Sequence, residues 1–140
     1  MDVIHPEIAK AKTLPSKYYT DESLYNSQLE KFPTTWNFVG HASMLEQSTT
    51  IPAQIGNNPV MVTKDELGKF HCISNVCTHR GMVLTEGPTN KRTIKCPYHG
   101  RTFNLCGKLK HMPEFEQAEN FPSASDDLPS KKIKNWHGLL

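Results

Sequence analysis

A mainly β, antiparallel domain with one helix near its N-terminus is the fold this sequence predicts. Three observations predict it: a single helical apolar period close to the start, many short β-like runs after it, and turn residues between those runs. With 140 residues the chain is long enough for one domain with a core and too short for two full ones.

The elements follow in order. Residues 1–20 are polar, contain Pro6 and Pro15, and read as an extended arm. Thr20 is placed to cap a helix, with Asp21 and Glu22 at its positive end. Leu24, Gln28, Leu29 and Phe32 recur at helical spacing and Pro33 follows, which predicts one amphipathic helix over 21–32. Trp36 to Leu45 alternates loosely and predicts a first strand. Further strands are predicted at 49–55, 59–64, 69–74, 92–95, 102–105 and 132–140. Gly56-Asn57-Asn58-Pro59, Asp65-Glu66-Leu67-Gly68, Gly87-Pro88 and Cys106-Gly107-Lys108 supply the turns. The Pro-, Ser- and acid-rich segment 111–130 is predicted to be a surface loop. The expected organisation is a lead of residues 1–45 (arm, helix and first strand), then a domain over 46–140. The last strand runs into the apolar end Leu139-Leu140, as expected of a chain cut from something longer.

Composition narrows the function classes. The chain is 36% hydrophobic and 21% charged, with a formal net charge of +2. That balance offers no electrostatic basis for binding nucleic acid or an anionic membrane. No run approaches the roughly 20 apolar residues of a membrane span. The start, Met1-Asp2-Val3-Ile4-His5-Pro6-Glu7, lacks the basic and apolar regions of a secretory signal. The expected compartment is therefore the reducing cytoplasm, where four cysteines read as thiolates or metal ligands rather than disulfides.

Two segments carry the chemistry: Cys77-Thr78-His79-Arg80-Gly81 and Cys96-Pro97-Tyr98-His99-Gly100. Each offers one thiolate and one imidazole and is closed by glycine. A binuclear iron–sulfur centre needs two protein ligands per iron, and it is Rieske-type when two histidines replace two cysteines on one iron. Cys77 and Cys96 suit one iron, His79 and His99 the other. Gly81 and Gly100 let the backbone approach and its N–H groups point at sulfur. Neutral imidazole makes such a centre easier to reduce than an all-cysteine one, at about −150 to +300 mV against about −400 mV. A structural zinc site is the alternative, but common zinc spacings pair Cys with Cys and His with His. Unrelated buried cysteines and histidines are the other alternative, and the matched pairing of the two segments argues against it.

At these residues the sequence resembles the Rieske domain family, and it is similar to the N-terminal part of ring-hydroxylating and related Rieske non-haem iron oxygenase alpha subunits. Leu14-Pro15-Ser16-Lys17-Tyr18-Tyr19-Thr20, Trp36-Asn37-Phe38-Val39-Gly40-His41, Pro59-Val60-Met61-Val62-Thr63 and Phe103-Asn104-Leu105-Cys106-Gly107-Lys108 extend the likeness. The branch acting on quaternary amines, such as choline monooxygenase, looks comparable to the aromatic-ring branch. The resemblance implies a Rieske antiparallel β domain with the cluster between two loops. It implies a parent oxidoreductase that uses O₂ as a mono- or dioxygenase. The mononuclear iron of that parent would sit in a further domain for which no ligand set is found here, so no catalytic residue is assigned. It also implies a reductase or ferredoxin as electron donor, delivery to a catalytic domain of the same or a neighbouring subunit, and a homotrimer for the full subunit.

Two residues depart from the family pattern. Arg101 stands where these oxygenases usually carry Trp and puts a charge near the cluster face. Cys106 stands where a small polar turn residue is usual. The respiratory branch carries an extra cysteine in each loop; around Met82 and at Tyr98 this chain has none, which points to the lower-potential class.

The remaining residues have plainer readings. Arg80 is either a partner contact or a solvated side chain. Tyr98 either hydrogen-bonds near a sulfur or packs. Cys72 is expected as a buried small hydrophobe in a strand and Cys106 as an exposed thiol in a turn. His5, His41, His71, His111 and His137 are expected to be structural or surface histidines. Trp36, Phe38 and Trp136 are expected in the core. Lys131-Lys132-Ile133-Lys134 reads as a solvated strand face and Asp126-Asp127 as a turn. The competing functions are an oxygenase electron-transfer domain, a stand-alone Rieske ferredoxin and a zinc-binding interaction module.

Overall fold

A computed structural model describes residues 4–140; the first three residues of the expected arm, and the part of the signal-peptide reading that rests on them, lie outside it. The chain divides after Trp36 into two compact units.

The first unit is helical in short pieces. A 3-10 turn spans Ile8–Lys10, α1 spans Lys17–Thr20, α2 spans Glu22–Leu29 and a second 3-10 turn spans Phe32–Thr34. The arm is thus not extended throughout. Asp21, not Thr20, caps α2: its carboxylate accepts the Ser23 and Leu24 N–H groups at 2.9 and 3.3 Å. Thr20 is still inside α1, so its hydroxyl returns to the Ser16 carbonyl instead. The helix is shorter than predicted and buries no residue completely. Pro33 is the second residue of the following 3-10 turn, where its missing N–H has no cost.

The second unit holds two antiparallel sheets. The larger contains β1 (Thr50–Ile55), β2 (Asn58–Lys64), β3 (Phe70–Ser74) and β7 (Ser130–Lys131), in that spatial order. The smaller contains β4 (Thr93–Lys95), β5 (Thr102–Asn104) and β6 (Leu109–His111). Hairpin turns at the predicted glycines join β1 to β2, β2 to β3 and β5 to β6. β2 is buried on both faces. Met61 joins a cluster with Ile73, Cys77, Leu84, Ile94, Cys96, Phe103, Leu105 and Leu128. Its neighbour Val62 joins Leu45, Ile51 and Leu140 on the opposite side, because successive strand residues face opposite ways. Each fully buried side chain of this size contributes about 1.5–3 kcal/mol. The Thr63 hydroxyl donates to the Leu105 carbonyl and ties β2 to the β5–β6 turn of the smaller sheet.

Several expectations are corrected here. Trp36 to Leu45 forms no strand; Ala42–Leu45 is a 3-10 turn. Its backbone reaches the chain end through Val39 N–H to Leu140 O and Leu140 N–H to Gly40 O, both 2.9 Å. The strand expected over 132–140 does not form: β7 ends at Lys131, and 132–140 makes only isolated bridges at Trp136 and Leu139, since His137 and Gly138 both take positive φ. β6 was hidden in a polar, lysine-rich segment. The segment 111–130 is a loop for most of its length, as expected, but it starts on the last residue of β6, carries a 3-10 turn at Ala124–Asp126 and ends on the first residue of β7. Trp36, Phe38 and Trp136 are 72%, 67% and 63% exposed, so none is a core residue.

Candidate metal centre

The first core cluster ends at the two cysteines, and the loops that carry them share one backbone frame. Loop 1 leaves β3 and loop 2 joins β4 to β5. In loop 1 the Cys77 N–H donates to Met82 O at 2.8 Å, and the Gly81 N–H donates back to Cys77 O at 3.1 Å. In loop 2 the Cys96 N–H donates to Arg101 O at 2.8 Å, and the Gly100 N–H donates back to Cys96 O at 3.1 Å. Each loop therefore closes on the glycine four residues after its cysteine. Gly81 and Gly100 have φ of 70° and 76°, a left-handed conformation that costs other residues about 1–2 kcal/mol. The histidine is third in one frame and fourth in the other.

Cys77 and Cys96 are both buried, with their thiols beside one another. Burial pushes the Cys77 thiol above its ordinary range. The His79 backbone N–H donating to it pulls the other way, and the Cys96 thiol pushes up again. The His79 and His99 rings meet edge to face with centroids 4.8 Å apart. His79 Nδ1 is buried with no hydrogen-bond partner among the described residues. Burial holds His79 below the usual imidazole range, and His99, Arg101 and Arg80 push the same way. Tyr98 stacks on His99 at 3.7 Å while remaining exposed, so packing rather than a hydroxyl–sulfur bond describes it. Arg80 is exposed.

This arrangement fits a binuclear cluster. Two buried thiols form one donor pair, two imidazoles form another, and an orphaned buried nitrogen belongs to the second pair. Among the described residues no three Cys, His, Asp or Glu side chains gather as a group around a single ion.

Support for the loops comes from residues without metal chemistry. Asn75, 3% exposed, clasps loop 1 at its base. Its Nδ2 donates to Thr85 O at 2.7 Å and its Oδ1 accepts the Thr85 N–H at 3.0 Å. Arg101 is 4% exposed and reaches Thr78 and Asp126. The sequence shows Asp126 only as a turn residue and gives Thr78 no role of its own; only the adjacency of Thr78 to two ligand-type residues points to it. Cys72 is buried in β3, as expected. Cys106 lies half-buried in the β5–β6 turn, its thiol donating to Asn104 Oδ1 at 3.0 Å. All four cysteines are free. His71 pairs with Asp65 at 2.8 Å and His41 Nδ1 with Ser43 at 2.8 Å, both structural contacts.

A sequence profile of the Rieske [2Fe–2S] domain matches residues 35–122. The chain belongs to that family. A Rieske domain binds a [2Fe–2S] cluster. Choline monooxygenase from Amaranthus tricolor is 35% identical over 126 residues, covering 89% of this chain and 28% of the relative. The alpha subunit of biphenyl 2,3-dioxygenase from Rhodococcus jostii is 33% identical over 131 residues, covering 91% and 28%. The structure of a quaternary ammonium Rieske monooxygenase, described for carnitine oxidation and inter-subunit electron transfer, superposes with a TM-score of 0.82 at 27% identity, covering 92% of this chain and 36% of that one. This Rieske chain thus spans about a third of the length of the relatives it matches. No helix among its described residues is long and apolar enough to cross a membrane.

Proposed function

We propose that this Rieske domain passes single electrons as the N-terminal domain of a Rieske oxygenase alpha subunit, with Cys77 and Cys96 holding one iron and His79 and His99 the other. The observation that carries the assignment is the shared loop frame. It brings two buried thiols together and two imidazoles together, and leaves His79 Nδ1 buried without a partner among the described residues.

Bound there, a [2Fe–2S] cluster supplies a one-electron couple. The protein supplies the rest. The two thiols close the inner side, among Ile94, Phe103 and Leu105, where water is excluded and each charge interaction is strengthened. The His79 backbone N–H donates to the Cys77 sulfur and so favours added negative charge at the site. With His79 bound through Nδ1, its Nε2 is the atom left to hold or release a proton. Tyr98 covers one face of the His99 ring, so the half-buried imidazole edge is the route outward.

The wider assignment rests on the family resemblance. We infer a reductase or ferredoxin as electron donor, a catalytic domain of the same or a neighbouring subunit as acceptor, and a trimeric full subunit in the cytoplasm. The substrate class of the parent is an aromatic ring or a quaternary amine, oxidised with O₂ at a mononuclear iron outside this chain.

The test is electron paramagnetic resonance of anaerobically purified, dithionite-reduced protein, with Cys77→Ala and His99→Ala beside it. A reduced signal with an average g below that of an all-cysteine cluster, lost in both variants, is expected. Bound zinc without iron or acid-labile sulfide would overturn the reading.

A further inference from the structure

Arg101 is a buried cation with an unusual set of attachments. Its backbone carbonyl closes loop 2 by accepting the Cys96 N–H. Its guanidinium Nη1 donates to Thr78 Oγ1 at 2.8 Å, between the cysteine and histidine of loop 1. Its Nη2 donates to Asp126 Oδ1 at 3.2 Å. The Thr78 hydroxyl donates in turn to the Asp126 carbonyl at 2.7 Å, so the three residues form a closed ring of contacts. Asp126 is held independently: its Oδ2 accepts the Ser123 N–H and hydroxyl at 2.8 and 2.9 Å. The ring of Phe121 lies 5.6 Å from the guanidinium carbon. Arg101 Nε is buried with no partner among the described residues.

A planar five-donor fork suits this task, since one side chain can hold two acceptors in fixed directions. The sheets alone would not lock the two loops together, because loop 1 belongs to the larger sheet and loop 2 to the smaller. The charge also matters. Arg101 acts electrostatically on both Cys77 and His79, one residue from each donor pair.

We propose that Arg101 is a positioning and tuning residue: through Thr78 and Asp126 it fastens the two cluster loops to each other, and the balance of its charge against the Asp126 carboxylate sets the reduction potential of the group they hold. The inference rests on the ligand assignment above. The sign follows from charge. Reduction adds one negative charge at the site, a nearby cation stabilises it, and a nearby carboxylate opposes it. Removing the cation therefore lowers the potential, and removing the carboxylate raises it.

The experiment is a dithionite titration of the cluster-loaded chain, followed by electron paramagnetic resonance at fixed pH, with iron and sulfide counted per chain. Wild type is compared with Arg101→Gln, Arg101→Lys and Asp126→Asn. The midpoint is expected to fall in Arg101→Gln, rise in Asp126→Asn, and lie closer to wild type in Arg101→Lys than in Arg101→Gln. The melting temperature is expected to fall in all three, because each breaks the ring of contacts. A purely structural brace would move both charge-removing variants the same way or not at all, and either result overturns the tuning role. Should Arg101→Gln fail to retain iron, Asp126→Asn and Arg101→Lys decide the sign: a fall in the former, or no shift in it, refutes the proposal. A wild type with no reduced Rieske signal would instead refute the ligand assignment.

Discussion

Asn75 offers the sharpest test of how loop 1 is held. Its side chain makes two hydrogen bonds to the backbone of Thr85, closing a segment that contains both Cys77 and His79. Asn75→Ala removes both bonds and strands a backbone N–H and a carbonyl in a part-buried setting. At about 1 kcal/mol per net hydrogen bond, plus the desolvation of groups left unpaired, the expected loss is about 2–3 kcal/mol. Asn75→Asp separates the two bonds. It keeps the acceptor for the Thr85 N–H but turns a donor into a carboxylate oxygen facing the Thr85 carbonyl, so it is expected to cost at least as much as alanine. Urea unfolding followed by ellipticity gives the energies, and visible absorbance of the same samples gives cluster retention. The loss of cluster is expected at lower urea than the loss of ellipticity in both variants, because the clasp is local to loop 1. An Asn75→Ala protein within about 0.5 kcal/mol of wild type, in the range of ordinary surface changes, would refute the idea that this side chain bears the base of the loop.

Two further outcomes follow from the same geometry. Gly81→Ala should cost about 1–2 kcal/mol from its positive φ alone, since nothing lies within 4 Å of the added carbon; Gly100→Ala should cost more in the same urea series, because Pro113 Cγ stands 3.3 Å from that position. The Lys108 contact at 2.7 Å holds the Asp127 carboxyl below the usual range, so its contribution is present above roughly pH 4, the unfolded value, and is lost as pH falls through the folded one. The gap in melting temperature between wild type and Asp127→Asn should therefore close on acidification, and a gap that widened would reverse the sign.

The sequence made the candidate ligands legible and much of the sheet, for different reasons. Cys and His in two glycine-closed segments have few chemical uses, so Cys77, His79, Cys96 and His99 stood out without a fold. β1, β2 and β3 were readable because β-branched and apolar residues lie between glycine turns. The failures share one cause, the competition between local pattern and long-range pairing. Trp36, Phe38 and Trp136 are large and apolar yet exposed, and nothing local says which face a wide ring takes. β6 has lysine and histidine at two of its three positions and exists only because β5 pairs with it. Thr78, Arg101 and Asp126 lie far apart in sequence, 23 and 25 residues by their hydrogen bonds, so their ring is visible only after folding. Arg101 showed in the sequence solely as a departure from an expected tryptophan.

The double burial of β2 makes the unit's two apolar clusters mechanically one. Met61 belongs to the cluster that contains the cysteines, and Val62 to the one that gathers Leu45, Ile51 and Leu140. Neither can loosen without disturbing the other's central strand, so the amides of β2 should exchange with solvent only through opening of the whole unit. Any group that binds the folded loops then slows that opening by mass action. Deuterium uptake at Val62, whose side chain faces away from the cysteines, thus becomes a remote clock for occupancy of the metal centre.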